Sequence, residues 1–222
     1  MVQIHSAAVV DPGAKVGDFT SVWHLCHIES SAVVRENCNL GQNVCVGNCC
    51  RLGNSVSIFS HVELSDFVFC APFMVFTHIS FPRAVVNRQA TFDKTLVEVG
   101  ATLGANSTVV SGITVASGTI LAAGSTLTRD SKAWSLMIGS PARQVGWVSA
   151  FGEKIPLPLE GDGQWCCPHT GDEYRLVAIT ILRVPSIHDI LKYVPDKKLE
   201  RVQYTGVTAE MPADHNLMRT MG

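Results

Sequence analysis

The sequence predicts an all-β fold, a parallel β-helix with three faces. Three observations predict it: an aliphatic residue every six positions, a small or apolar residue at a fixed offset from each, and turn-forming residues between them. Ile4, Val10, Val16, Val22, Ile28, Val34, Leu40, Val46, Leu52, Ile58 and Leu64 are eleven consecutive members of the first series. An α-helix repeats every 3.6 residues and an antiparallel meander turns at irregular intervals. A short strand plus a corner, repeated with a period of six, instead gives a coil whose three sides are three successive repeats.

Four positions after each aliphatic stand Ala8, Ala14, Thr20, Cys26, Ala32, Cys38, Val44, Cys50, Val56, Val62 and Val68. Three of the cysteines are therefore expected to point inward as small core side chains. Gly17, Gly41, Gly47 and Gly53 follow an aliphatic directly and precede Asp18, Gln42, Asn48 and Asn54. These pairs are expected to turn each corner through left-handed backbone. Folding the chain at 18 aligns Ile4, Val22, Leu40, Ile58 and Phe76 on one face, Val10, Ile28, Val46 and Leu64 on the second, and Val16, Val34, Leu52 and Cys70 on the third. Stacked coils are about 4.8 Å apart, the ordinary strand spacing.

The period stops after Phe76 and resumes at Val97, Leu103, Val109, Val115, Leu121 and Leu127, leaving an insertion that carries Arg83, Arg88, Asp93 and Lys94. A loop extruded from a compact solenoid is usually functional, and here it is expected over about residues 77–96. The β-helix is expected over 1–132. A closing turn at Ile138–Arg143 and a short helix near Gln144–Phe151 complete 133–151. Residues 152–222 are expected to be a small extension: a Pro- and Gly-rich linker over 152–163, a β-hairpin over Trp165–Val177 with a Thr-Gly-Asp turn, an apolar continuation to Leu182, and a helical turn from Ser186 to Tyr193.

With 17 Lys+Arg against 19 Asp+Glu the net charge is −2, so no basic footprint for nucleic acid is present. Apolar residues at 46% and charged residues at 16% exclude a disordered chain. Val99–Thr128 is uncharged but rich in Gly, Ser and Thr, which argues against a membrane span. The first residues lack the basic and apolar regions of a secretory signal, so cytoplasm is the expected compartment and the eight cysteines are expected to be reduced. Cys45 and Cys49 have three residues between them and no matching second pair, so no metal is expected.

Two corners attract attention. His24, Gln42, Ser60 and His78 lie 18 apart and form one polar column, with His24 and His78 about 14 Å apart at the ordinary strand spacing. Gly104-Ala105-Asn106 and Ala122-Ala123-Gly124, also 18 apart, line a second corner with almost no side chain. Such a groove admits a slender acyl carrier close to the backbone.

Trp23-His24-Leu25-Cys26-His27-Ile28, Val62-Glu63-Leu64, Val68-Phe69-Cys70-Ala71-Pro72, Met74-Val75-Phe76-Thr77, Pro82-Arg83-Ala84, Gly104-Ala105-Asn106-Ser107-Thr108 and Pro141-Ala142-Arg143-Gln144-Val145-Gly146-Trp147 resemble the bacterial nucleotide-sugar 3-N-acetyltransferases of the hexapeptide-repeat family. Residues 1–155 carry the likeness, and Cys-Pro-x-Thr-Gly-x-x-Tyr at 167–174 also recurs there. The pattern is most similar to the group acting on UDP-2-acetamido-3-amino-2,3-dideoxyglucuronate, in surface-polysaccharide (lipopolysaccharide, O-antigen) synthesis. Phe81-Pro82-Arg83 is shared with the group acting on dTDP-3-amino-3,6-dideoxyhexoses.

The resemblance implies a left-handed coil, acetyl-CoA as donor, a nucleotide-linked amino sugar as acceptor, and a homotrimer with its sites between neighbouring prisms. It also implies His78 and Asn106 near the reacting centre and His24, Glu63, Arg83 and Arg88 around the acceptor. Gly104, Ala105, Ala122, Ala123, Gly124, Pro141 and Arg143 would line the CoA site. The family has Asn where this chain has His78. Two other classes fit a hexapeptide prism. A carbonic anhydrase would hold a metal through histidines such as 24, 27, 61 and 78, whose spacing does not match that family's pair. A trimeric scaffold would bind no CoA.

Overall fold

The computed structural model describes residues 1–79, 82, 83, 85 and 93–185. Arg88 and the helical turn expected at 186–193 lie outside the described residues. The chain winds into a left-handed parallel β-helix, opposite in hand to ordinary strand–crossover–strand connections. The first face stacks Gln3–Ile4, Ser21–Val22, Asn39–Leu40, Ser57–Ile58, Val75–Phe76, Thr108–Val109 and Thr126–Leu127 as seven parallel strands. The second face runs from Val9–Val10 to Thr114–Val115, and the third starts at Lys15–Val16 and continues past Ile120–Leu121 into the closing strands.

Register follows the columns expected from the period. Ile4 pairs with Val22, Val22 with Leu40, and Ile28 with Val46. Across the insertion, Leu64 pairs with Val97, Cys70 with Leu103 and Phe76 with Val109. The chain leaves the stack and re-enters it in register, so the aliphatic columns stay continuous. From Val22 to Leu127 the inward side chains of all three faces are essentially removed from water.

The corners differ from the expected pattern in an instructive way. Left-handed backbone falls at the third position after each aliphatic, at Phe19, Leu25, Ser31, Asn37, Asn43, Cys49, Ser55, His61, Phe67 and Phe73, with φ between 58° and 65°. The Gly-Asp, Gly-Gln and Gly-Asn pairs precede that residue. The glycines are needed for a different reason, direct contact between corners. A Cβ on Gly47 would lie 2.7 Å from the Ser65 carbonyl carbon, and one on Gly53 2.6 Å from the Pro72 nitrogen. Beyond the loop the left-handed place passes to Gly100, Asn106, Gly112, Gly118 and Gly124.

Where the inward residue at a corner's end is Thr or Cys, it ties adjacent coils together. Thr20 Oγ1 donates to the Arg35 carbonyl at 2.8 Å, Cys26 Sγ to Gly41 at 2.9 Å, Cys38 Sγ to Gly53 at 3.1 Å and Cys50 Sγ to Ser65 at 3.0 Å. Each reaches a carbonyl on the next coil up. Burial pushes these thiols up, Cys50 to about 12, so they stay protonated and can donate.

The end of the prism corrects two expectations. Ala142–Val148 is a strand where a helix was expected near 144–151; it runs antiparallel to Ser135–Gly139, which continues the third face. The strand wins because it places Trp147, fully buried, in a core shared with Ile155 and the C-terminal strands, where its Nε1 donates to the Pro158 carbonyl at 2.8 Å. The 152–163 segment is not a free linker: Lys154–Ile155 pairs with Trp147–Val148, and Ile155 is buried.

The expected hairpin is present, Gly163–Cys166 against Glu173–Val177, and Thr180–Val184 adds a third antiparallel strand. Tyr174, Leu176, Ile181 and Cys167 form a second core with Trp147 and Ile155. The Tyr174 hydroxyl accepts the Ala150 N–H at 2.6 Å, and buried Asp172 pairs with Arg183 Nη2 at 2.7 Å.

Direct corner contact predicts that Gly47→Ala lowers the unfolding free energy by about 1–3 kcal/mol, the range for overpacking a close-packed site. Urea unfolding followed by circular dichroism measures it. Wild-type stability of Gly47→Ala would refute the contact.

Candidate active site

The polar column lies where the first face turns toward the second. His24, Gln42, Ser60 and His78 each follow an inward residue of the first face by two positions, and the Asn43 N–H donates to the His24 carbonyl at 3.1 Å. The side chains on this corner pair across coils. His5 and His24 have ring centroids 5.4 Å apart, and Phe59 stacks on His78 at 4.8 Å with 28° between the planes. In both pairs the partners are separated by one full coil and one further position, so the period that aligned the histidines also specifies their ring neighbours. Phe59 is the site residue that reasoning from polar groups alone passed over.

His78 is half-buried, and that burial lowers its pKa below the usual imidazole value. The shift favours the neutral ring, in which one nitrogen carries a proton and the other can accept a hydrogen bond. A neutral imidazole at the foot of an extruded loop can hold an amine or receive its proton. The loop root is fixed beside it. Lys94 Nζ lies 2.6 Å from Glu63 Oε2, and the Ser111 N–H donates to Thr77 Oγ1 at 3.0 Å. Glu63 thus anchors the returning chain, a role the sequence left open, and Lys94 was not among the expected site residues. Arg83 is exposed on the loop.

The small-residue corner lies where the third face turns toward the first. A Cβ on Gly104 would sit 2.4 Å from the Ala123 nitrogen, so stacking alone demands glycine there. Ala105, Asn106, Ala123 and Gly124 are exposed on the outside of that corner. Asn106 has φ 55°, its N–H donates to the Pro72 carbonyl at 3.0 Å, and the Gly124 N–H donates to the Ala105 carbonyl at 2.9 Å. The closing turn extends the same column, with the Gly139 N–H on Ser125 Oγ at 3.0 Å and Ser140 Oγ on Thr126 Oγ1 at 2.9 Å. Pro141 and Arg143, in and after that turn, are exposed.

The structure therefore gathers the sequence candidates into two groups on different corners. His24, His78 and Arg83 belong to the loop corner, while Gly104, Ala105, Asn106, Ala122, Ala123, Gly124, Pro141 and Arg143 belong to the small-residue corner; Glu63 lies on the second face, paired in register with Cys45, and reaches the loop only through Lys94. The first face separates them. Asn106, grouped with His78 by resemblance, sits across that face from it within one chain.

No protein-family model matches the chain. Curated relatives include the acyl-(acyl-carrier-protein)-UDP-N-acetylglucosamine O-acyltransferases of Brucella ovis and Brucella melitensis biotype 1, each 31% identical over 61 residues, 28% of this chain and 22% of the relative. The chain thus spans well under two thirds of the relatives it matches. Among solved structures, the polySia specific acetyltransferase NeuO has TM-score 0.50 at 13% identity, over 65% of this chain and 85% of that one. AntD, an N-acyltransferase from Bacillus cereus in complex with dTDP-4-amino-4,6-dideoxyglucose and coenzyme A, has TM-score 0.43 at 14% identity, over 65% and 83%. The likeness to NeuO is one of fold. No helix among the described residues is long and apolar enough to cross a membrane.

The Phe59 stack generates a direct test. Phe59→Ala uncovers the imidazole, so the His78 pKa rises toward the ordinary histidine value in a proton NMR titration. An unchanged pKa would mean that Phe59 does not set its environment.

Proposed function

We propose that the chain is an acetyl-CoA-dependent N-acetyltransferase acting on the 3-amino group of a nucleotide-linked amino sugar, and that it works as a homotrimer. The observation that carries this reading is the division of the site. A polar column ending in neutral His78 and an arginine-bearing loop occupies one corner, and an exposed corner of minimal side chains ending in Arg143 occupies another. An acceptor with a charged diphosphate suits the first and a slender pantetheine arm with terminal phosphates suits the second. Within one prism the two are separated by a face, so a neighbouring prism supplies the second half and a cyclic trimer closes the arrangement.

The chemistry needs positioning more than covalent participation. The neutral amine attacks the thioester carbonyl carbon, the C–S bond breaks, CoA leaves as thiolate, and the nitrogen's surplus proton passes to the thiolate or to solvent. His78 holds the amine through its unprotonated nitrogen and directs the lone pair. Arg83 and Arg88 meet the diphosphate or a sugar carboxylate, His24 lies lower on the same column along the acceptor, and Glu63 holds the loop root through Lys94. Asn106, brought by the neighbour, lies next to the thioester, and Gly104, Ala105, Ala122, Ala123, Gly124, Pro141 and Arg143 line the CoA channel. The reaction as written uses no metal.

UDP-2-acetamido-3-amino-2,3-dideoxyglucuronate is the favoured acceptor. The sequence motifs support it, as does a relative whose name gives a UDP-linked amino sugar as the acyl acceptor. The dTDP-3-amino-3,6-dideoxyhexoses are the second choice, on Phe81-Pro82-Arg83. The product is a building block for surface polysaccharide, made in the cytoplasm.

The test follows thiol release with acetyl-CoA and a panel of UDP- and dTDP-linked 3-amino sugars. Turnover with the UDP-glucuronate derivative is expected. No turnover with any amine, together with no CoA binding, would leave a scaffold. If His78 positions the amine, His78→Asn retains most activity and removes from the kcat/KM profile the acid limb that the wild-type imidazole adds below the ordinary histidine pKa. A loss of about 100-fold or more in kcat for His78→Asn, with acceptor affinity intact, would assign the proton to the imidazole.

A further inference from the structure

On the outward side of the second face, away from both corners, His27, Glu29 and Cys45 bring one donor atom each to within 4.8 Å of one another, all half-buried. The coil creates this cluster. His27 and Cys45 are paired in register on neighbouring coils, and Glu29, two positions after His27, returns to the same side by strand alternation. Imidazole, carboxylate and thiolate are the donor set of borderline divalent metals, zinc above all.

Three further observations favour a cation there. Asp11 Oδ1 is 3.1 Å from His27 Nε2, the carboxylate–imidazole pairing that orients a metal-bound histidine and leaves its other ring nitrogen for the metal. The Glu29 carboxylate accepts a hydrogen bond from Asn48 Nδ2, which fixes its direction. Glu63 is paired in register with Cys45 on the next coil, which places a second carboxylate-bearing residue beside the thiol. Lys94 is drawn to Glu63 at 2.6 Å. Negative charge therefore gathers around a thiol with little to balance it.

We propose that His27, Glu29 and Cys45 bind a zinc-class divalent cation that clamps two adjacent coils, with water completing the coordination. Ligands on a tetrahedral zinc lie about 3.3–3.8 Å apart, so side-chain rotations of about 1 Å close the triad. Binding forms a metal–sulfur bond as the Cys45 S–H proton leaves to solvent. None of its ligands lies on either of the two corners; its one link to the acetyl-transfer reading is Glu63, paired in register with Cys45.

The test uses the full chain, stripped with a chelator and titrated with Co2+ and then Zn2+. The expected result is one equivalent of Co2+ bound with a thiolate-to-cobalt charge-transfer band, bleached by Zn2+, and a Zn2+-dependent rise in Tm. Cys45→Ser abolishes the band, His27→Ala weakens binding about 10-fold or more, and Cys166→Ser, which removes the exposed thiol of the C-terminal sheet, changes nothing. Absence of the band in the wild-type chain, or a band that survives Cys45→Ser, would overturn the assignment. A band lost with Cys166→Ser would overturn it as well. Unaltered stability of the two ligand variants without metal shows that they remain folded.

Discussion

Everything in this chain depends on how closely one coil lies on the next. Parallel strands must sit at hydrogen-bonding distance, and in a coil of only three short sides the corners are held to the same spacing as the faces. The ladder continues through the corners: the Asn43 N–H reaches the His24 carbonyl, and the Gly124 N–H reaches Ala105. That leaves no room for a Cβ at Gly17, Gly41, Gly47, Gly53 or Gly104. It also forces left-handed backbone at a fixed place in each repeat, which costs about 1–2 kcal/mol for an ordinary side chain. Before the loop the chain accepts Phe19, Leu25, Phe67 and Phe73 in that conformation. The strain is tolerated because both flanking strands are hydrogen-bonded and their inward residues buried.

The same constraint makes a corner useful. Side chains at equivalent places stack directly above one another on successive coils, so one column can be entirely polar and another almost devoid of side chain without disturbing the core. A segment can also leave at a corner and return with the register intact. The insertion does this, with Val97 resuming the column of Leu64 and Lys94 held by Glu63. Rigid coils fix the position of His78, and Phe59 sets its exposure from the coil below. The C-terminal strands add a second core beyond the last coil, in which Trp147 and Tyr174 pack with Ile155.

Much of this was legible in the sequence because the period is strict. Columns, faces, register across the insertion and the inward cysteines all follow from counting in sixes. The hairpin around Thr170 followed from its turn residues. Counting failed at the corners themselves. Period and residue type put the turn at the Gly-Asn pairs, but the left-handed residue comes one place later, and only coil contact explains the glycines. It failed again at 144–151, where the strand pairs with Ser135–Gly139 and buries Trp147 in the second core, because nothing local in Gln144–Trp147 reveals the edge that awaits it. The candidate site was legible as two columns. Their separation onto different corners was not, because it depends on which face each column borders. The Phe59–His78 stack and the His27–Cys45 pairing were within reach of the period, since a single coil, with or without one further position, separates the partners.

The central claim is that one chain's loop corner works with another chain's small-residue corner. Subunit mixing tests it. His78→Ala disables the acceptor corner, and Ala123→Trp, at an exposed position of the other corner, blocks the donor groove. Each variant alone is expected to show little acetyl transfer. After the two are dissociated together and reassembled, mixed trimers contain interfaces at which both corners are intact, and a substantial fraction of wild-type thiol release returns. No activity beyond the sum of the separate variants, in trimers shown by mass to be mixed, would place both halves of the site on one chain and contradict the account.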